Sequence, residues 1–154
     1  MAHSIHEVAD YFIEMPDADS GDFITHLKLQ KLCYYAQAWY LALNNERLIN
    51  GEFQAWPHGP VNTELWARFR EKNWQPILQS EVKAEGFSFH EQDLSFLGVI
   101  WDIYGPYTAK ALEDMTHDEL PWIEARKGLS PYESSRNPIS DETMRTYYAA
   151  RAAT

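Results

Sequence analysis

The sequence predicts a mainly α fold, a single compact domain of about six or seven helices with a small β-hairpin or three-stranded sheet. Apolar residues recur at helical spacing through most of the 154 residues. Capping residues stand where those periodic runs begin. Alternation proper to strands is confined to short runs, Phe53-Gln54-Ala55-Trp56 and Phe87-Ser88-Phe89, which could pair with one another.

Ser4 and Glu7 form an S-x-x-E capping box, and Ile5, Val8, Ala9, Phe12 and Ile13 follow on one face. This helix is expected to end near Glu14, before Met15-Pro16. Asp17 to Asp22 (DADSGD) reads as a solvated turn, because its glycine and distal glutamate are misplaced for an EF-hand. The organising stretch is Thr25 to Pro60. Thr25 is placed as an N-cap, and Leu29, Leu32, Cys33, Ala36, Tyr40 and Leu43 stack on one side of a central helix. Gln30, Gln37 and Asn44 mark its expected wet face. Leu48-Ile49-Asn50-Gly51 reads as hairpin-like, and Trp56-Pro57-His58-Gly59-Pro60 as a rigid turn, with Pro60 opening the next helix.

That helix should run to about Glu71 with Val61, Leu65, Trp66 and Phe69 inward, and Asn73-Trp74-Gln75-Pro76 breaks it. A helix starting near Glu91 carries Leu94, Leu97, Trp101 and Tyr104, with Phe96, Ile100 and Ile103 beside them. It is apolar nearly all round and is expected to be well buried. Gly105-Pro106 stops it. Thr108 caps a short helix to about Met115, and Thr116 to Trp122 forms a second compact turn, with Pro121 opening a helix through Arg126. Residues 127–139 read as loop. Ser140, with Asp141 and Glu142, starts a last helix carrying Met144, Tyr147 and Tyr148.

Composition narrows the function. Six Trp, nine Tyr and seven Phe are more rings than one small core usually holds; they read first as a core rich in rings and second as a surface made to receive another protein, where Tyr and Trp are enriched. A net charge of −10 with no basic cluster makes a poor nucleic-acid binder; Arg68, Arg70 and Lys72 are diluted by Glu64 and Glu71. Cys33 is the only cysteine, so no disulfide framework exists and a reducing, cytosolic compartment is expected. No run approaches the ~18 apolar residues that would span a bilayer.

Catalytic patterns are missing. His3-x-x-His6 lacks a third ligand, H-E-x-x-H is absent, and neither a phosphate-binding glycine loop nor G-x-S-x-G occurs, so no metal or cofactor is expected. His58 is the one tempting general base. It would need a carboxylate orienter, for which Asp118 or Glu119 are available.

T-H-L-K-L-Q-K-L-x-Y-Y-A-Q-A-W (Thr25 to Trp39) and A-W-x-H-G-P-V (Ala55 to Val61), followed by W-x-x-Y-G (Trp101 to Gly105) and L-x-x-x-T-H-x-E-x-P-W-x-x-A-R (Leu112 to Arg126), resemble the Panacea domain, the SocA-like or GepA-like antitoxin family of bacteria and phages. The resemblance covers roughly residues 5–150. It implies an antitoxin that neutralises a cognate toxin encoded beside it by direct protein contact, with many unrelated toxins served across the family. Some relatives add a helix-turn-helix segment, and none is expected within these 154 residues, which puts autoregulation by DNA binding in doubt. Pro57 stands where relatives often carry Lys or Arg, and Cys33 where Leu is common.

Recognition is therefore the expected job, with no direct nucleic-acid or membrane partner and with a homo-oligomer left open. Lys31, Tyr34, Tyr35 and Gln37, off the main apolar stripe, and Trp56 and His58 at the turn are the expected partner contacts. Gly59, Pro60, Thr116, His117, Pro121 and Trp122 are expected to shape the scaffold. A small hydrolase-like enzyme using His58 and a nucleic-acid-binding regulator are the alternative readings.

Overall fold

A computed structural model describes residues 2–17, 23–82 and 89–153. Among them the chain runs α1 (Ile5–Ile13), β1 (Ile24–Thr25), α2 (His26–Asn44), β2 (Gln54–Trp56), β3 (Gly59–Val61), α3 (Thr63–Phe69), β4 (Pro76–Ile77), α4 (Glu91–Tyr104), α5 (Ala109–His117), α6 (Leu120–Ala125) and α7 (Asp141–Ala152). The mainly α expectation holds, with two two-stranded antiparallel sheets, β1–β4 and β2–β3. Both halves of the Ser4 capping box form, and Thr25, Thr108 and Ser140 each accept a first-turn N–H.

Helix α2 is the axis of the molecule. Helices α1, α3, α4, α5 and α7 and strands β1 and β3 pack against it, α7 most extensively. Leu29, Leu32, Cys33, Tyr34, Tyr35, Ala36 and Ala38 are all fully buried. A large apolar side chain buried in this way contributes roughly 1.5–3 kcal/mol relative to exposure. With neighbours on every side, α2 has no continuous wet face.

Gln30 and Gln37 therefore correct the sequence expectation, being buried rather than wetted. Each amide serves a backbone segment crossing the helix. Gln37 Oε1 accepts from Leu48 N and Ile49 N at 2.9 Å, and its Nε2 donates to Ile49 O at 3.1 Å. Gln30 Oε1 accepts from Asn62 N at 2.9 Å, and its Nε2 donates to Asn62 O at 3.2 Å. A side-chain amide carries the same donor and acceptor as a peptide group, so it can satisfy buried backbone that has no strand partner. Leu43 departs in the opposite direction. Expected inward, it stands exposed on the last turn.

The strand pairing also differs. Gln54–Trp56 pairs with Gly59–Val61 in a hairpin turning at Pro57 and His58; of the expected strand Phe87-Ser88-Phe89, residues 87 and 88 lie outside the described residues. Pro60 accordingly sits in β3, and α3 starts at Thr63 behind an Asn62 N-cap. Pro60 pairs here with Ala55. The other edge of β2 takes the loop before α7: Ala55 N donates to Asn137 O at 2.9 Å and Ile139 N to Phe53 O at 2.8 Å. Leu48–Ile49 forms no hairpin; His3 bridges it in parallel. Of the DADSGD turn, residues 18–22 lie outside the described residues.

Helix α4 is less buried than its composition suggests. Leu97, Ile100 and Tyr104 face inward, whereas Val99 and Ile103 are each 53% exposed. The reason is one-sided packing: α2 covers one face of α4, and among the described residues no element of comparable contact covers the other. Among the described residues no helix is long and apolar enough to cross a membrane.

Candidate partner-binding face

The β2–β3 hairpin rests on the first half of α2, and one lysine explains its shape. Lys31 is fully buried, and its Nζ donates to Pro60 O at a long 3.4 Å. Gly59 lies directly over it with φ +106°, in the left-handed region that glycine tolerates. A Cβ at Gly59 would come within 2.5 Å of Lys31 Cε and 3.1 Å of Thr116 Oγ1. The glycine is thus required both by its backbone and by the space the lysine occupies. Desolvation pushes the Lys31 ammonium down to about 8, against a smaller opposing pull from Glu113.

Helix α5 brings Glu113 to the same place. Its Oε1 accepts from His58 Nδ1 at 2.9 Å, and its Oε2 accepts from Lys110 Nζ at 3.2 Å. The carboxylate partner of His58 is therefore Glu113, not Asp118 or Glu119. Glu119 is buried on another side of α2, accepting from Tyr35 and Tyr148 at 2.8 and 2.7 Å. The His58 side chain is 73% exposed. Cys33, the one thiol, is buried and pushed up by desolvation, so it offers no thiolate to the pair.

Behind the hairpin, Trp122 Nε1 donates to Trp56 O at 2.8 Å, and the Trp122 ring stacks on His117 at 4.0 Å. His117 also bonds to the Pro57 carbonyl; burial holds its ring below the usual histidine range. Pro121 lies in the first turn of α6, where its missing N–H costs nothing. Arg126 donates to Ala55 O, Ser130 O and Glu133 O, tying the hairpin to the following loop. Thr116, His117 and Trp122 thus lie against the turn, with Pro121 in the helix that carries Trp122.

In front of it, α2, α3 and the hairpin enclose a cleft of about 430 Å³. Trp56, Trp66 and Trp74 line it with Leu27 and Val61, and Lys31, His58 and Arg70 also face it. Trp56 and Trp66 meet edge to face at 5.1 Å. His26 lies beside Trp66 and is pushed down to about 4, chiefly by burial, so its neutral Nε2 accepts from Gln30 Nε2 at 3.1 Å. Trp74 is 86% exposed, following Asn73, which holds a positive φ of 53°.

Of the residues singled out from sequence, Lys31, Trp56 and His58 meet at this cleft. Tyr34, Tyr35 and Gln37 do not. All three are buried, as is Lys31 itself, so none of the four α2 side chains expected as partner contacts is exposed on the surface. Tyr34 and Tyr35 instead join Tyr148 and Glu119 in a hydrogen-bonded set between α2 and α7. Sequence reasoning passed over Trp66, Arg70, Trp74 and Glu113. Trp66 lies at helical spacing with inward residues, yet is 38% exposed. A tryptophan inside the polar breaker Asn73-Trp74-Gln75-Pro76 was the one available signal, because nothing in such a turn can bury it.

Among the described residues no group of three or more His, Cys, Asp or Glu side chains could hold a metal ion. No solved structure matches the chain significantly. A stretch of 62 residues is 34% identical to Antitoxin SocA of Caulobacter vibrioides (strain NA1000 / CB15N), covering 40% of this chain and 33% of that relative. The chain therefore spans about a third of that relative's length in the match. The family model described as antitoxin SocA-like, Panacea domain, matches residues 29–123, a stretch that holds the hairpin, Lys31, Glu113 and most of the cleft. The chain belongs to the SocA-like antitoxin family that carries the Panacea domain.

Proposed function

We propose that the chain neutralises a toxin encoded beside it by direct protein contact, and that the hairpin face carries the contact through Trp56 and His58. Family membership supports the antitoxin role. The observation that carries the choice of face is the clustering of three tryptophans, one of them 86% exposed, around a rigid turn. Tryptophan and arginine dominate the few positions that supply most of an interface's energy. A preformed turn also limits the ordering cost of association. His58, with Glu113 behind it, serves this reading as an oriented hydrogen-bonding group with no turnover assigned to it.

The test is co-expression with the product of the adjacent gene. Growth rescue and a co-purifying complex are expected, with Trp56→Ala or His58→Ala weakening the complex while thermal stability changes little for His58→Ala. A neighbour that neither inhibits growth nor binds overturns the reading. Activity lost in His58→Ala and Glu113→Gln alike, with the complex intact, would favour the enzymatic alternative instead.

A further inference from the structure

The cleft beside the hairpin has chemistry unlike the rest of the chain. The protein carries a net charge of −10, yet among the described residues no carboxylate lines this cleft, while Lys31, Arg70 and His58 do, with Glu113 behind His58. Arg70 is exposed and makes no ion pair among the described residues, unlike Arg68, which is held by Asp10. The remaining walls are the indoles of Trp56, Trp66 and Trp74 and the aliphatic Leu27 and Val61, with the uncharged polar side chains of Gln30 and Asn73 and the ring of His26 between them. Lys31 is fully buried with one long hydrogen bond, so a cation whose desolvation is already complete sits under the cleft floor.

We propose that the cleft receives a segment of the partner polypeptide in which an aromatic or large aliphatic side chain is flanked by carboxylates. The apolar side chain packs against Trp66 and Trp74, and a flanking carboxylate takes the guanidinium of Arg70 in the field of Lys31. Arginine presents a planar fork suited to carboxylate pairing, and its pairs are stronger than neutral hydrogen bonds. The rest of this acidic surface repels such a segment, so charge fixes where it lands. The cleft's volume of about 430 Å³ suits a side chain or two, and its outer wall, Trp74, projects into solvent. An occupant therefore continues beyond the cleft along the surface, as a polypeptide does. That the partner is a protein rests on the antitoxin reading. The charge and ring chemistry of the cleft does not.

The experiment titrates the full chain with end-capped peptides and follows tryptophan fluorescence and indole NMR signals. The first probe is one Phe flanked by aspartates; others replace the aspartates by lysines, or the Phe by Ala, and a short oligo-dT serves as the nucleic-acid control. Saturable binding of the aspartate-flanked Phe peptide is expected, weakened at least about fivefold by Arg70→Glu and by Trp74→Ala. Both residues are exposed, so the variants should keep the wild-type melting temperature. Equal binding of the lysine peptide, tighter binding of oligo-dT, no binding of any peptide, or no effect of Arg70→Glu overturns the proposal. With the toxin in hand the two readings separate. A toxin that binds wild type and both variants equally overturns the cleft proposal and leaves the antitoxin role standing. Peptide binding that Arg70→Glu abolishes, with a toxin that ignores wild type, supports the cleft chemistry and overturns the antitoxin role.

Discussion

Lys31 and Gly59 are far apart in sequence and are explained only together. The lysine fills the space where a side chain at Gly59 would lie. Gly59→Ala combines a left-handed backbone with a steric clash and is expected to cost about 2–4 kcal/mol in denaturant unfolding. Shortening the lysine in the same background, Lys31→Ala with Gly59→Ala, should recover part of that loss; strictly additive effects would show that the close approach does not matter. The lysine itself is held at a cost. Its folded value is lowered from 10.5 to about 8, so across that window the unfolded chain keeps a proton that the folded chain has released. Stability of the wild type therefore climbs as pH rises from about 8 to 10.5. Lys31→Met should lack that climb and be more stable at neutral pH by on the order of 1–3 kcal/mol. A lower melting temperature for Lys31→Met would show that the ammonium is net favourable where it lies.

At the scale of elements, α4 and α2 part company although both are rich in apolar residues. Composition alone predicts burial for each. Only α2 is surrounded, because five other helices and the hairpin converge on it, whereas α4 turns Val99 and Ile103 outward. Ile100→Ala should therefore cost about 2–4 kcal/mol, as a buried truncation does. Val99→Lys, one residue away, should stay within about 0.5 kcal/mol. Similar losses for both, measured by urea unfolding, would mean that this face is covered after all. The same contrast explains Gln30 and Gln37. A polar side chain marks a wet face only if no backbone crosses it, and here two segments do.

At the scale of the whole molecule, α7 closes over α2, and Glu119 is the polar joint between them. Tyr35 and Tyr148 both donate to its carboxylate, and Arg151 approaches at 3.1 Å. Burial raises its carboxyl above the ordinary 4.5 despite those hydrogen bonds. A raised carboxyl adds stability that is complete below 4.5 and disappears as pH climbs through the folded value. Glu119→Gln keeps an acceptor for the tyrosines and should flatten that slope. Glu119→Leu strands the Tyr35 hydroxyl and leaves that of Tyr148 with Tyr34 alone, and should cost about 2–4 kcal/mol, read as a fall in melting temperature. Equal stability for Gln and Leu would show that the tyrosines do not depend on the joint. The family-matched stretch ends at residue 123, so α7 lies beyond it while covering the most buried helix within it.

By itself the sequence determined what depends on neighbours a few residues away: the capped helix starts, the turn at Pro57 and His58, the halt of α4 after Tyr104, and the motifs that carry the family. These follow from local hydrogen bonding and φ preferences, which a short stretch contains in full. Which side of a helix is covered, that Lys31 lies beneath Gly59, and that Trp66, Arg70 and Trp74 share one cleft were decided by the tertiary structure. Burial is a property of everything packed around a residue, and periodicity along one helix does not contain it.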